Sequence, residues 1–278
     1  MQNSGTMKKS IVLIFALLFS LSAFSLEPSR EYAVTPADYG IDYEEVTIQT
    51  SDEVNLHGWY FKTKETSYKM IILSDDGNGN MADLIEIATN FVSLGWNVLT
   101  YDYRGYGQSD EFDINTKFYI YSQFEKDLNA AIDYARKFHS KNRTLALYGQ
   151  GIGASMSLAI GAVRCSEITK IIADSPYSTL DDVQKAIQAA EGKEVLLPLG
   201  FDKNMLEPVY ALEAKGGSLN GILIIYGKDD PVYNDDMVKR IAKIRGKITK
   251  TYVVKGAKKE TTFTTDKEEY FRTIKDFL

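Results

Sequence analysis

From residue 69 onward, short apolar runs alternate with longer segments in which apolar residues recur at helical spacing. This alternation predicts a mostly parallel sheet with helices on both faces, because parallel strands need crossover connections. Polar and apolar residues alternate singly over residues 44–50 and 54–62, which predicts an antiparallel hairpin ahead of the parallel strands. The further predicted strands cover residues 69–74, 96–103, 144–149, 168–175, 221–227 and 247–255. We therefore expect an α/β fold with about eight strands.

The predicted helices and the remaining segments indicate one domain. The helices cover residues 82–95, 121–139, 152–164, 234–245 and 266–278. No internal repeat or linker interrupts residues 43–278, so this range is expected to be a single domain. Residues 26–42 are polar and predict an extended lead-in. Residues 176–218 are mixed and contain an amphipathic piece, which predicts a short cap over the carboxyl ends of the strands.

The first 25 residues have a different composition from the rest of the chain. Lys8 and Lys9 precede 14 mostly apolar residues, IVLIFALLFSLSAF, and small residues follow just before Leu26. This pattern is typical of a cleaved signal peptide, and the run is shorter than the roughly 20 residues of a membrane span. We expect residues 1–25 to be removed and the protein to be exported to a bacterial periplasm or exterior. An uncleaved anchor is the alternative interpretation.

Charge and cysteine content restrict the expected partners. The chain has 32 basic and 38 acidic residues, and removal of residues 1–25 leaves a net charge near −8. Such a balance disfavours nucleic acid or an anionic membrane surface as the main partner, so we expect a small molecule or a protein. Cys165 is the only cysteine, so the chain cannot form an internal disulfide.

The stretch TLALYGQGIGASMSLAIG, residues 144–161, contains a tight turn between a strand and a helix. The turn passes through Gly149, Gly151 and Gly153. Many α/β enzymes hold a nucleophile in such a turn, with the pattern G-x-S-x-G. Here the middle position is Gly151, which has no side chain.

Other motifs in a fixed order carry a family resemblance. VNLHGWYF resembles the opening hairpin of the family, ILSDDGNGN its oxyanion loop and YDYRGYGQSD its D-x-R-G-x-G-x-S turn. IIADSPYSTL resembles the strand that leads to the cap, LIIYGKDDPV the turn that carries the catalytic acid, and YVVKGAKKE the histidine loop. From about Tyr43 to Leu278 the chain resembles the α/β-hydrolase superfamily, in the branch of serine aminopeptidase-like and monoacylglycerol-lipase-like proteins.

The resemblance implies where a catalytic triad would lie. The acid position is Asp230, the nucleophile position is Gly151 and the histidine position is Lys259. Asp76 stands where the oxyanion loop usually has histidine, and that loop is one residue short. We expect no metal ion and no cofactor. The other residues expected around the pocket are Gly77, Asn78 and Ile152.

The chain offers few substitutes for the triad groups. His57 lies in the opening hairpin and His139 ends a helix whose end faces the starts of the strands, so structural roles are expected for both. Cys165 follows a helix of about 13 residues and would lie roughly 20 Å from the elbow. Ser155 and Ser74 could line the pocket, but neither has a histidine to activate it.

These substitutions predict a pseudoenzyme, that is, a hydrolase fold without hydrolase chemistry. A nucleophile elbow holds its central residue at positive φ, which glycine adopts with little strain. Gly151 therefore keeps the turn and removes the reacting group. We expect the Lys259 amine to pair with the carboxylate of Asp230 or, failing that, Asp229. The alternative is an active esterase or peptidase with unorthodox residues, including a Ser–Lys arrangement that uses Lys259.

A second alternative comes from a different class of protein. GQGIGA also satisfies the dinucleotide fingerprint G-x-G-x-x-A between a strand and a helix. Asp174, 25 residues after Gly149, would then bind a ribose hydroxyl. Against this, the fingerprint normally lies in the first βαβ unit, whereas here a hairpin and two strands precede it.

Overall fold

A computed structural model describes residues 26–278 of the chain. Eight strands form the main sheet, in the order β10-β9-β8-β7-β4-β6-β3-β2. A separate two-stranded parallel pair joins β1 to β5. The strands are β1 Glu27–Pro28, β2 Glu44–Gln49, β3 Asn55–Phe61, β4 Lys69–Ser74, β5 Asn78–Gly79, β6 Asn97–Tyr101, β7 Thr144–Gln150, β8 Lys170–Asp174, β9 Gly221–Gly227 and β10 Thr249–Val254.

The prediction of an eight-stranded, mostly parallel sheet is confirmed. Neighbouring strands from β10 to β6 are all parallel. β3 alone runs antiparallel, to both β6 and β2. The carboxyl ends of six consecutive strands therefore meet at one edge of the sheet, where an open α/β sheet places its functional residues.

The helices cover both faces of the sheet, as predicted. α1 Ile85–Ser93 and α9 Lys267–Phe277 pack on one face, and α2 Phe124–Phe138, α3 Gly151–Val163 and α7 Asp235–Ile244 pack on the other. Strand β4 shows the division, because Ile71 and Leu73 join one core cluster and Met70 and Ile72 the other. Alternate side chains of a strand point to opposite faces. The remaining α-helices are α4 Leu180–Glu191, α5 Lys203–Leu206, α6 Pro208–Ala214 and α8 Thr262–Thr265.

Helix α1 begins later than its sequence pattern predicts. The predicted helix covers residues 82–95, but Met81–Leu84 is a 3-10 turn, and the Asn80 side chain caps it by accepting a hydrogen bond from the Ala82 amide at 3.0 Å. The helix ends before Gly95, which has a φ of +79°. Asparagine is a good cap and glycine a good terminator, so both boundaries follow from local chemistry.

The lead-in, residues 26–42, contacts the rest of the fold closely. The Glu27 amide donates to the Gly77 carbonyl at 3.1 Å, and the Ser29 amide donates to the Gly79 carbonyl at 2.8 Å. A 3-10 turn covers Pro36–Tyr39, so the segment is only partly extended. The predicted signal peptide, residues 1–25, lies outside the described residues.

Residues 176–218 contain the helices α4, α5 and α6, and the last two pack against α3. A cap over the carboxyl ends of the strands stays a prediction for this segment. None of the helices within residues 26–278 combines the length and the apolar character that a membrane crossing requires.

Candidate functional site

The glycine-rich turn lies between β7 and α3. Gly151 is the first residue of α3 and has a φ of +51°, in the left-handed region. A Cβ on Gly149 would lie 2.2 Å from the Gly153 carbonyl oxygen, and one on Gly153 would lie 2.4 Å from the Asp75 carbonyl oxygen. Side chains do not fit at such distances. The outer two glycines therefore let the start of α3 approach β7 and the loop after β4.

Beside Gly151 lies an ion pair between a buried lysine and a partly exposed aspartate. The Lys259 amine is 2.7 Å from the Asp76 carboxylate, and only 3% of the lysine side chain is exposed. Burial lowers the pKa of Lys259, but the Asp76 carboxylate outweighs that effect and holds the pKa above its ordinary value. The ammonium also lies 5.8 Å from the centre of the Tyr233 ring, a cation–π distance. Lys259 is therefore charged near neutral pH.

The predicted pairing of the Lys259 amine with Asp230 is wrong. One Asp230 carboxylate oxygen accepts from two backbone amides of the turn after β9, each at 2.8 Å. The other oxygen accepts from the backbone amide of Lys259 at 2.7 Å. Backbone donors thus hold the buried carboxylate, and the lysine side chain extends to Asp76 instead. Asp229, the alternative partner, is exposed and makes no hydrogen bond with the amine.

The loop after β4 satisfies its own backbone amides. The Gly77 amide donates to the Asp75 carboxylate at 2.7 Å, and the Asn78 amide donates to the Asp76 carboxylate at 2.9 Å. Burial raises the pKa of Asp75 well above its usual range, and the charge of Asp76 raises it further. Sequence analysis did not assign a role to Asp75. Its only sequence signal is the Asp-Asp pair in SDDGNGN.

Apolar side chains close the space around the same loop. Ile152 is buried at the start of α3, and a Cβ on Gly77 would lie 2.8 Å from the Ile152 Cδ1 atom. The same Cβ would lie 2.9 Å from the Leu26 Cδ2 atom. The first residue of the lead-in therefore packs directly against the loop. The structure thus brings together Gly151, Ile152, Asp76, Gly77 and Lys259.

Two buried tyrosines hold the backbone of the loop after β4 by hydrogen bonds. The Tyr103 hydroxyl donates to the Asp75 carbonyl at 3.0 Å, and the Tyr106 hydroxyl donates to the Gly77 carbonyl at 2.9 Å. Both side chains are almost fully buried. Their hydroxyl groups are thus used to hold backbone in place.

Comparisons with known proteins agree with this architecture. A family model described as serine aminopeptidase, S33, matches residues 68–199. Protein bem46 of Schizosaccharomyces pombe is 29% identical over 166 residues, which are 58% of this chain and 53% of that protein. WAV2, an alpha/beta hydrolase domain-containing protein of Arabidopsis thaliana, is 26% identical over 163 residues, 56% of this chain and 49% of that protein. The chain therefore spans about half the length of these curated relatives.

A solved structure extends the similarity to nearly the whole fold. The esterase Pf2001 of Pyrococcus furiosus superposes with a TM-score of 0.72 at 21% identity, over 91% of this chain and 96% of that chain. The chain has the α/β-hydrolase fold and is related to the bem46 and WAV2 proteins. Its elbow, loop after β4 and turn after β9 are the places where an α/β-hydrolase carries its reacting groups.

The two histidines of this α/β-hydrolase chain contact other parts of the fold. The His57 Nδ1 atom lies 2.7 Å from the Tyr32 hydroxyl. The His139 ring stacks on Tyr60, with ring centres 4.1 Å apart. Among residues 26–278, neither imidazole ring forms a hydrogen bond with a serine hydroxyl.

The serines near the elbow are held in structural hydrogen bonds. The Ser155 hydroxyl accepts from the Tyr177 backbone amide at 2.8 Å. The Ser74 hydroxyl lies 2.9 Å from the Tyr101 hydroxyl, and both are buried. Neither serine hydroxyl is hydrogen-bonded to Lys259 in the described part of the chain, so the geometry of a Ser–Lys nucleophile is not present here.

Asp174, the acid that a dinucleotide site would need, is fully enclosed. Its carboxylate accepts hydrogen bonds from the hydroxyls of Thr262 at 2.6 Å, Tyr270 at 2.7 Å and Ser175 at 2.9 Å. Burial raises the pKa of Asp174 to about 6, against the opposing effect of these hydroxyl donors. Asp174 and its three hydroxyl donors thus form a buried hydrogen-bond network, so the carboxylate is not accessible to a ribose.

Proposed function

We propose that this chain is an exported α/β-hydrolase-fold protein that does not catalyse hydrolysis and serves a binding or structural role. The expected partner is a small molecule or a protein, and not nucleic acid. The proposal rests on the residues at the nucleophile and histidine positions, Gly151 and Lys259, and on what surrounds them.

The main support for this proposal is that the Lys259–Asp76 pair occupies the space beside Gly151. A Cβ on Gly151 would lie 3.1 Å from the Asp76 Cβ atom and 3.5 Å from the Lys259 Cδ atom. A nucleophile side chain would therefore contact an ion pair where an α/β-hydrolase places its imidazole. Since the lysine amine is protonated, it has no lone pair to accept a proton from a nucleophile.

The loop after β4 supports the same proposal. An oxyanion hole needs backbone amides that point at the developing negative charge. The amides of Gly77 and Asn78 donate to the carboxylates of Asp75 and Asp76 instead. The Asp76 carboxylate at this position would also repel an oxyanion. The retained acid, Asp230, has no imidazole to orient, and it serves to fix the backbone at Lys259.

An active hydrolase is the second candidate, favoured by the backbone conformation of the elbow. Gly151 keeps the positive φ of a nucleophile elbow, and the Pyrococcus furiosus protein of the same fold carries the name esterase. This candidate requires a nucleophile and a base elsewhere in the pocket. Dinucleotide binding is the third candidate, and the enclosed Asp174 disfavours it.

Hydrolysis of p-nitrophenyl esters tests the proposal. We expect the wild-type chain to hydrolyse the ester at the background rate, and Gly151→Ser to leave the rate unchanged because no imidazole is available. Gly151→Ser combined with Lys259→His is expected to give weak activity, since the two substitutions restore a nucleophile and a base next to Asp230. Saturable turnover by the wild type, abolished by a substitution in this pocket, would establish the second candidate instead.

Export is the part of the proposal that rests on sequence alone. Residues 1–25 combine two lysines with a short apolar run, which supports a cleaved leader. We expect N-terminal sequencing of the protein recovered from bacterial culture to begin near Leu26. Protein that retains residues 1–25 and sediments with membranes would indicate an anchored form.

A further inference from the structure

A second concave region lies at the opposite edge of the sheet from the candidate site. It is an open cavity of about 580 Å³, within the usual range for small-molecule sites. Its lining comes from the segment after β3, from the residue that starts β6 and from the loop after α2. Because β4, β6 and β7 all begin here, the cavity belongs to the amino ends of the strands. The proposed function does not involve this edge.

Unpaired cations surround this cavity. Lys62, Lys64 and Lys141 line it, and Lys137 and Arg143 flank its lining residues in sequence. Within residues 26–278, none of these five cations has a carboxylate within the 4.0 Å of an ion pair. The chain as a whole has a net charge of −6, so this cluster is a positively charged region on a negatively charged protein. Such a region attracts small anions.

Two carboxylates are also present in the lining. Glu44 and Glu65 line the cavity together with the three lysines, so the lining has a net charge of +1. Neither carboxylate forms an ion pair with those lysines. Lysines that are left unneutralised by their neighbours remain available to an incoming anion.

Two exposed aromatic rings lie in the same lining. Tyr68 is 52% exposed and Phe138 is 59% exposed, which is high for large apolar side chains. The Arg143 guanidinium lies 5.7 Å from the Tyr68 ring centre, and the Lys137 amine lies 5.0 Å from the Phe138 ring centre. Each ring is therefore next to a cation. A ligand with a flat ring and a negative charge can contact both kinds of group at once.

One lining residue, His139, has a buried polar atom without a hydrogen-bond partner. The His139 Nε2 atom is buried and has no hydrogen-bond partner among the described residues, although the ring stacks on Tyr60. Buried polar atoms without partners are uncommon in native proteins. Protein atoms enclose this nitrogen, so His139 contributes its stacked ring to the wall of the cavity and no contact of Nε2 with a ligand is assumed.

The floor of the cavity is held rigidly by side-chain hydrogen bonds. The Thr63 amide donates to the Asn97 side-chain carbonyl at 3.1 Å. The Asn97 side-chain amide donates to the Ser67 carbonyl and to the Asn142 side chain, each at 3.3 Å. These bonds join the segment after β3, the start of β6 and the loop after α2. The segments that carry the lining residues therefore need little rearrangement on binding.

We propose that this cavity binds a small organic anion that carries a phosphate, sulfate or carboxylate group on a flat ring. The lysines contact the charged group, and Tyr68 and Phe138 contact the ring. The ligand is small because the negative charge of the whole chain repels an extended polyanion, whereas the cavity lies inside the local positive region.

Isothermal titration with phenyl phosphate and with inorganic phosphate tests this proposal. We expect phenyl phosphate to bind more tightly than inorganic phosphate, with an affinity that falls as salt concentration rises. Lys64→Gln combined with Lys141→Gln should weaken phenyl phosphate binding about tenfold. Phe138→Ala should remove most of the difference between the two probes. Lys255→Gln, which removes an exposed cation after β10 at the opposite edge, is the matched control and should not change binding.

Three outcomes would overturn the proposal. The first is no saturable heat from either probe at millimolar concentration with folded wild-type protein. The second is unchanged affinity in the double lysine variant, when circular dichroism shows that it remains folded. The third is binding to vesicles of phosphatidylglycerol without binding to phenyl phosphate, which would assign the basic region to a membrane surface.

Discussion

Replacing Lys259 with methionine is expected to lower the free energy of unfolding by about 3 kcal/mol, because it removes the buried cation of the Lys259–Asp76 pair. Methionine fills similar volume, so the loss comes from the Asp76 carboxylate, which would remain next to Asp75 without a counter-charge. In a chain of this size that loss corresponds to a fall in Tm of roughly 6–12 °C. Urea denaturation followed by circular dichroism measures the free energy directly.

The neighbouring residue provides a matched control for this experiment. Lys258 is exposed, and Lys258→Met should change the free energy of unfolding by less than about 0.5 kcal/mol. Combining Lys259→Met with Asp76→Asn removes both charges and should recover part of the loss. If Lys259→Met is as stable as Lys258→Met, the ion pair does not stabilise the fold, and our account of the site is wrong.

The fold could be predicted almost entirely from the order of its elements. Strands such as β4 and β9 read as continuous apolar runs because both of their faces are buried. Strand β2 shows alternating polar and apolar residues because only one of its faces, which carries Val46 and Ile48, packs on the core. Where a boundary differed, as at the start of α1, the reason was a local capping choice by Asn80 that periodicity does not encode.

The candidate site could be located from sequence but not resolved into contacts. Motif order placed Gly151 beside Lys259, and the structure brings them together. Motif order alone could not decide which carboxylate pairs with Lys259, since Asp76 and Asp230 are both nearby acids. That choice depends on which oxygens already accept from backbone amides, and only three-dimensional geometry provides this information. The role of Asp75 was missed for the same reason.

Substitution by alanine is expected to lower the free energy of unfolding much more at Gly153 than at Gly151. Gly153→Ala places a Cβ 2.4 Å from the Asp75 carbonyl oxygen and 2.6 Å from the Ser74 carbonyl oxygen, both backbone atoms. Neither atom can rotate away, so α3 must shift from β4. We expect a loss of about 3 kcal/mol in the free energy of unfolding, at the upper end of overpacking effects. Thermal and urea denaturation of the purified variant measure it.

Gly151→Ala is expected to cost only about 1 kcal/mol. Its Cβ would meet no backbone atom closer than 3.5 Å, and its nearest contact is a side-chain carbon of Asp76 at 3.1 Å. The remaining cost is the positive φ of +51°, which L-residues adopt at a penalty of about 1 kcal/mol. Gly217 lies in open space without a positive φ, so Gly217→Ala is the control and should change stability by less than about 0.5 kcal/mol.

This ranking separates two explanations of the GQGIGA stretch. If the glycines admit a bound pyrophosphate, Gly153→Ala should fold normally and lose only ligand binding. If they let α3 pack against β4 and β7, the loss of stability should occur with no ligand present. Equal stability of the Gly153→Ala and Gly217→Ala variants would contradict the packing explanation. A large loss at 153 with a small one at 151 would mean that the turn is preserved by packing alone, so a glycine at the nucleophile position costs the fold nothing.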